Sequence, residues 1–214
     1  IGVMGDSAGS HVAASAGTLF NDPVVNTGSP LDKVSGRPDF MILLFSVLTM
    51  EPPYAHRDSK TNLIGPNPTQ EEMDHYSLEK QVTADTPPTF LVHSEQDTTV
   101  SLENEMQFYQ ALIKNHVPAE LHLYPLATHG SGLDPSFGPT SIWQKLCEEW
   151  MRWNGWIPKS DTSLMKIQSR ADIPARGAAG RSARRGGSGF GRGRGPAPAA
   201  TAPAPDAATP SASN

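Results

Sequence analysis

Residues 1–9 read Ile-Gly-Val-Met-Gly-Asp-Ser-Ala-Gly, and no other stretch constrains the fold as tightly. A short apolar run leads directly into G-x-S-x-G, and an alanine-rich helical pattern follows at once. Strand, sharp turn and helix in that order are the setting in which G-x-S-x-G forms a nucleophile elbow. Such an elbow needs glycines on both sides of the serine, because the turn strains the backbone and crowds neighbouring segments. Asp6 and Ala8 are small enough to leave the Ser7 hydroxyl open to a reactant. Residue 1 already sits in the strand, so the segments that precede an elbow in a complete enzyme are expected to lie outside this sequence.

A shift of composition near residue 160 divides the chain. Residues 1–160 carry 9 Lys+Arg against 19 Asp+Glu, a net charge of −10, and hold nearly all the large apolar side chains. Residues 161–214 carry 8 against 3, a net +5, and consist mainly of Gly, Ala, Pro, Ser and Arg. One folded body over 1–160 and a disordered tail over 161–214 are therefore expected, since the tail has too little apolar surface to bury a core. An acidic body opposes nucleic-acid binding, which needs a basic face. The tail's Arg-Gly repeats around Phe190 have the chemistry to bind nucleic acid by charge and stacking. A single aromatic and a modest charge favour a solvated linker instead. Cys147 is the only cysteine, which excludes an intrachain disulfide and a multi-cysteine metal site. Its place in a helical pattern points to buried packing. No apolar run reaches the ~18–20 residues of a membrane span. Compartment and oligomeric state are left open.

Further along, Phe40-Met41-Ile42-Leu43-Leu44-Phe45 is a continuous apolar run of strand length, as a parallel strand covered on both faces requires. Residues 21–38 are rich in turn signals, and residues 47–68 are irregular with several prolines. Thr69-Gln70-Glu71-Glu72 has the capping-box pattern of a helix start. Residues 89–93 and 120–124 read as two more strands. A helix between them is capped by Ser101, runs to about Asn115 and places Met106, Tyr109, Leu112 and Ile113 at helical spacing. A last helix opens near Ser141 and stops near Gly155. This order predicts an α/β fold, a parallel sheet with right-handed crossovers and helices on both faces.

Ligands of an open parallel sheet collect at the carboxyl ends of its strands. Ser7, Asp97 and His129 all follow such ends, in that order along the chain. A serine hydroxyl is a poor nucleophile at neutral pH and needs a base within reach. An imidazole can take that proton and return it to a leaving group. A carboxylate must orient the imidazole and stabilise its cationic form. The expected roles are therefore Ser7 as nucleophile, His129 as base and acid, and Asp97 as orienter. The Ala8 N–H, at the start of the elbow helix, is expected to donate to a developing oxyanion. His129 stands out from six other histidines because it alone lies in a glycine-flanked loop just beyond a strand. His11 is expected to pack or hydrogen-bond locally, His93 to support the acid loop, and His122 to alternate within a strand. His56, His75 and His116 fall in surface-like segments. Glu95 and Glu103 compete with Asp97, but Glu103 falls in a first helical turn, where a carboxylate has its own electrostatic reason to be. No H-x-E or H-E-x-x-H spacing points to a metal site.

These residues carry a resemblance. Gly5-Asp6-Ser7-Ala8-Gly9-Ser10-His11-Val12-Ala13 resembles the G-x-S-A-G-G-H-L-A elbow of esterase-type α/β hydrolases of the acetylxylan and feruloyl esterase group. Arg37-Pro38-Asp39-Phe40, Leu63-Ile64-Gly65, Ser77-Leu78-Glu79 and Thr86-Pro87-Pro88-Thr89 resemble the same group in order. So do Asp97-Thr98-Thr99-Val100 with Glu103-Asn104, and His129-Gly130 with Gly132-Leu133, and the resemblance spans about residues 1–157. It implies hydrolysis of carboxylic esters, often on acetylated plant-type polysaccharide, through a Ser7–His129–Asp97 triad with no cofactor. Secretion or a periplasmic location is also in keeping with the group. Two positions depart from the pattern: Ser10 replaces a glycine and Ser101 a proline. The group also places an H-G-G loop well before the elbow, which donates the second oxyanion N–H. Loss of one such donor costs about 10²–10³ in kcat, so the chain by itself is expected to have little activity. The elbow strand is expected to form an apolar, unpaired edge. The competing readings are a serine peptidase of the prolyl-oligopeptidase type and a non-catalytic body carrying an Arg-Gly binding tail.

Overall fold

A computed structural model of the chain describes residues 1–130, 132 and 135–158. Four parallel strands pair in sequence order: β1 (Gly2–Asp6), β2 (Phe40–Leu44), β3 (Thr89–Ser94) and β4 (Ala119–Tyr124). Five α-helices connect or follow them: α1 (Ala8–Thr18), α2 (Arg57–Ile64), α3 (Gln70–Tyr76), α4 (Glu103–Lys114) and α5 (Trp143–Trp153). The expected tail, 161–214, lies outside the described residues. None of the described helices is long and apolar enough to cross a membrane.

Alternation along the central strands separates two apolar layers. Successive side chains of a strand point to opposite faces. Met41, Leu43 and Leu91 accordingly pack with Ala13 and Ala14 of α1 and with Phe108 and Leu112 of α4. Ile42, Leu44, Phe90 and Val92 pack against Trp143, Cys147 and Trp150 of α5. Thus β2 is buried on both faces, as its unbroken apolar run requires. The edge strand β1 alternates between exposed and half-buried residues, and Met4 is 57% exposed.

Several local expectations shift. The capping box at Thr69 forms, with the Thr69 side chain accepting from the Glu72 N–H and the Glu72 carboxylate accepting from the Thr69 N–H at 2.8 Å. Ser101 sits one residue outside the cap position of α4, although its hydroxyl still accepts from the Glu103 N–H at 3.3 Å. The buried stripe of α4 is Asn104, Glu105, Phe108 and Leu112, and Ile113 is 39% exposed. The apolar pattern misplaced this face because two of its inward residues are polar. Helix α2 was not anticipated, since Arg-Asp-Ser-Lys-Thr-Asn-Leu-Ile has no apolar stripe and buries no residue. A 3-10 segment, Pro135–Ile142, precedes α5 and delays its start to Trp143.

Candidate active site

The turn between β1 and α1 places Ser7 at φ 51° and ψ −125°, a left-handed conformation that non-glycine residues rarely adopt. Such strain costs about 1–3 kcal/mol and persists only where the surroundings over-determine it. Two backbone bonds hold the turn: the Ser7 N–H donates to Leu44 O at 2.8 Å, and the Val47 N–H donates to Ser7 O at 3.1 Å. Ser10, the glycine replacement, is fully buried. Its hydroxyl donates to Gly5 O at 2.8 Å and accepts from the Leu44 N–H at 3.2 Å, fastening α1 to both strands.

Ser7, Asp97 and His129 meet at the carboxyl end of the sheet. Ser7 Oγ lies 2.8 Å from His129 Nε2, and His129 Nδ1 lies 2.7 Å from Asp97 Oδ2. A carboxylate only accepts, so Nδ1 carries the hydrogen and Nε2 presents its lone pair to the serine O–H. The Asp97 side chain is fully buried, whereas that of His129 retains 21% exposure. Asp97 Oδ1 accepts the N–H groups of Thr99 at 2.8 Å and Val100 at 2.9 Å, which fixes the carboxylate plane. The Phe45 ring approaches the imidazole edge-on, with centroids 6.3 Å apart. Because α1 begins at Ala8, the Ala8 N–H has no acceptor within the helix and stands beside Ser7.

The competing histidines are committed elsewhere. His11 Nδ1 meets the Ser15 hydroxyl one turn along α1 at 3.5 Å, the local bond expected, and Nε2 donates in addition to Tyr76 O, 65 residues away, at 2.9 Å. His122 lies 3.2 Å from Glu120 and tilts onto the Phe90 ring. His56 caps α2, His75 pairs with Asp22 at 3.4 Å, and His116 is exposed just beyond α4. Glu95 is exposed, and Glu103 lies in the first turn of α4 as expected.

His93 does reach the acid. Its side chain is fully buried, with Nε2 3.5 Å from Asp97 Oδ2 and 3.2 Å from Val100 O. Its Nδ1 lies 2.6 Å from Glu105 Oε2, on an equally buried carboxylate. Burial opposes the charge on His93, but Glu105 and Asp97 outweigh it and hold the imidazole above its ordinary value. Burial pushes the Glu105 carboxyl up, against the opposing pull of His93 and Ser46. Glu105 was not foreseen, because helical spacing alone places no carboxylate inside.

Asn104, one of the residues that carry the resemblance, also turns inward where helical spacing alone places no polar group. Its Oδ1 accepts from the Leu48 and Thr49 N–H groups at 2.9 and 3.0 Å, and its Nδ2 donates to Tyr54 O at 3.0 Å. These bonds hold the segment after β2 beside the elbow. There Val47, Met50, Asn62 and Leu63 join Ala8 and Val12 around a mostly apolar cleft of about 260 Å³. A second hollow of about 410 Å³ is lined by Met4, Asp6, Phe45, Gly130 and Trp143. A larger one, about 800 Å³, lies between the end of α1 and residues 20–36 and includes none of Ser7, Asp97 or His129.

Residues 34–152, which include Asp97 and His129, match the Prolyl oligopeptidase family (Peptidase_S9). The chain is 43% identical over 128 residues to endo-1,4-beta-xylanase B of Butyrivibrio fibrisolvens, covering 60% of this chain and 20% of that protein. It is 26% identical over 171 residues to an acetylxylan esterase of Xylanibacter ruminicola, covering 78% of this chain and 32% of that protein. The chain thus spans about a third or less of the curated relatives it matches. Among solved structures, the acetyl ester-xyloside bifunctional hydrolase from Caldicellulosiruptor lactoaceticus has a TM-score of 0.68 at 40% identity, over 73% of this chain and 57% of that one. The carboxylesterase Cest-2923 from Lactobacillus plantarum shares the α/β-hydrolase fold, with a TM-score of 0.61 at 24% identity over 75% and 60% of the two chains.

Proposed function

The chain belongs to the prolyl oligopeptidase family of α/β hydrolases, and we propose that it hydrolyses carboxylic esters through Ser7, His129 and Asp97. The observation that carries this reading is the unbroken hydrogen-bond path from Ser7 Oγ through both imidazole nitrogens to a buried carboxylate. Ser7 Oγ attacks the ester carbonyl carbon while His129 Nε2 takes its proton. Negative charge forms on the carbonyl oxygen, facing the Ala8 N–H, and Asp97 stabilises the imidazolium. Collapse breaks the carbon–oxygen bond to the alcohol, which leaves with the proton from His129. Water, deprotonated by the same imidazole, then attacks the acyl-Ser7 ester and releases the carboxylic acid.

An acetylated xylan-type saccharide is the proposed substrate. Support comes from the acetylxylan esterase and the acetyl ester-xyloside hydrolase among the similar proteins. The small apolar cleft beside Ala8 suits a short acyl group. A second reading, hydrolysis of peptide amides, is favoured by the family name itself. Fluorophosphonate labelling of the purified protein, with rates on p-nitrophenyl acetate, acetylated xylo-oligosaccharides and peptide p-nitroanilides, separates the readings. Serine labelling, and the low ester turnover expected with a single oxyanion donor, should vanish in Ser7→Ala. Unchanged labelling and turnover in Ser7→Ala would sink the proposal, and faster cleavage of the anilides would favour the second reading.

A further inference from the structure

Behind Asp97 lies a second imidazole–carboxylate pair that the reaction just described does not use. We propose that His93 and Glu105 are positioning residues that share one buried proton and keep the His93 Nε2–H directed at Asp97, an inference that rests on the triad reading above. The geometry requires the proton count. Val100 O can only accept, so His93 Nε2, 3.2 Å away, must carry a hydrogen. Asp97 Oδ2 lies 3.5 Å from the same nitrogen, a charge contact longer than the bond to Val100 O. On the other side of the ring, Nδ1 and Glu105 Oε2 stand 2.6 Å apart. Neither atom makes a well-formed hydrogen bond with any described residue, so the approach stands as a close imidazole–carboxylate contact. Two bare lone pairs would repel at that distance, so one proton lies between them.

Whether that proton resides on nitrogen or oxygen, the pair is neutral overall and presents an N–H to Asp97. The carboxylate thereby has, beyond the hydrogen bonds from Thr99 and Val100, a buried N–H dipole 3.5 Å from its other oxygen. The other Glu105 oxygen, Oε1, accepts the Ser46 N–H. Ser46 adjoins Val47, whose N–H holds the Ser7 carbonyl. One chain of polar contacts therefore runs from the backbone of the nucleophile to the acid, by a hydrogen bond from Ser46 to Glu105 and imidazole–carboxylate contacts from Glu105 to His93 and from His93 to Asp97. Its function is to keep the acid in register with the serine while the His129 imidazolium forms and discharges.

Glu105→Gln preserves this arrangement, because the amide oxygen takes the Ser46 N–H and the amide nitrogen donates to a neutral His93 Nδ1. Glu105→Leu abolishes it and frees the tautomer of His93. The expected result is a fall in kcat on p-nitrophenyl acetate of about 10- to 10²-fold in Glu105→Leu, with KM within about twofold and rescue to within about threefold in Glu105→Gln. The far-downfield proton resonance of the His129 Nδ1–H should shift or broaden in Glu105→Leu and persist in Glu105→Gln. A folded Glu105→Leu protein with unchanged kcat and resonance would overturn the proposal, as would equal losses in both variants. Nitrogen-15 NMR of histidine-labelled wild-type protein tests it even if Glu105→Leu fails to fold: His93 Nε2 must be protonated, and a bare Nε2 would overturn it. That measurement needs no turnover, so it separates failure of this inference from failure of the ester-hydrolase reading, which Ser7→Ala tests.

Discussion

The two glycines of the elbow motif have different physical tasks, and replacing each by alanine should separate them. A Cβ on Gly5 would lie 2.2 Å from Gly9 O, 2.4 Å from Gly9 C and 2.6 Å from Ser10 N, where ordinary contact is 3.4–4 Å. All three obstacles are backbone atoms of α1, so the helix must move away from β1 by about 1 Å or more. That movement lengthens the Ser10 bond to Gly5 O, now 2.8 Å. Overpacking costs about 1–3 kcal/mol and a weakened buried hydrogen bond about 1 more. Gly5→Ala should therefore lose about 2–4 kcal/mol, a shift in Tm of roughly 4–16 °C for a domain of this size. Gly9 differs. The nearest atom to its added Cβ is Asp6 Oδ1 at 3.7 Å, in a helical stretch where alanine outperforms glycine by about 0.5–1 kcal/mol. Urea unfolding followed by tryptophan fluorescence measures both changes, and fluorophosphonate labelling reports whether Ser7 has moved. A Gly5→Ala midpoint within about 0.5 kcal/mol of wild type would refute the crowding argument, as would equal losses at the two positions.

Ser7→Gly and Ser7→Ala should both lose serine labelling, but the glycine variant should be the more stable by about 1 kcal/mol, because only glycine tolerates φ 51° without strain. Equal thermal midpoints would contradict that. Cys147 is buried between α5 and the sheet, and desolvation pushes its thiol up to about 12. A disulfide reagent at neutral pH should leave it unmodified in the native protein and react with it in denaturant. Burial holds His11 below its ordinary value of 6.5, against the opposing effect of its bond to Tyr76 O. The unfolded chain therefore takes up this proton first, so His11 contributes a loss of stability as pH falls below about 6.5. Urea midpoints measured between about pH 7 and 5 should decline less in His11→Gln than in wild type.

Much of the candidate site's geometry was legible because its signals are local. A serine between glycines after a strand, an aspartate in the loop after β3 and a histidine in the loop after β4 identify themselves by residue type and position. Parallel pairing then brings the three strand ends to one edge, so chain order and topology together predict the meeting of Ser7 with His129, 122 residues apart. The continuous apolar run of β2 likewise announces a strand buried on both faces. What depends on distant partners had no such signal. Glu105 looks like a solvent-facing helix residue until Ser46, 59 residues earlier, and His93 enclose it. Asn104 conceals the inward face of α4 for the same reason, since a polar group can be buried only where tertiary contacts supply its hydrogen bonds. The motif at residues 5–9 shows both sides of this division. Its local chemistry required a turn that presents the serine, while only the packing of α1 on β1 decided that Gly5 is sterically required and Gly9 is not.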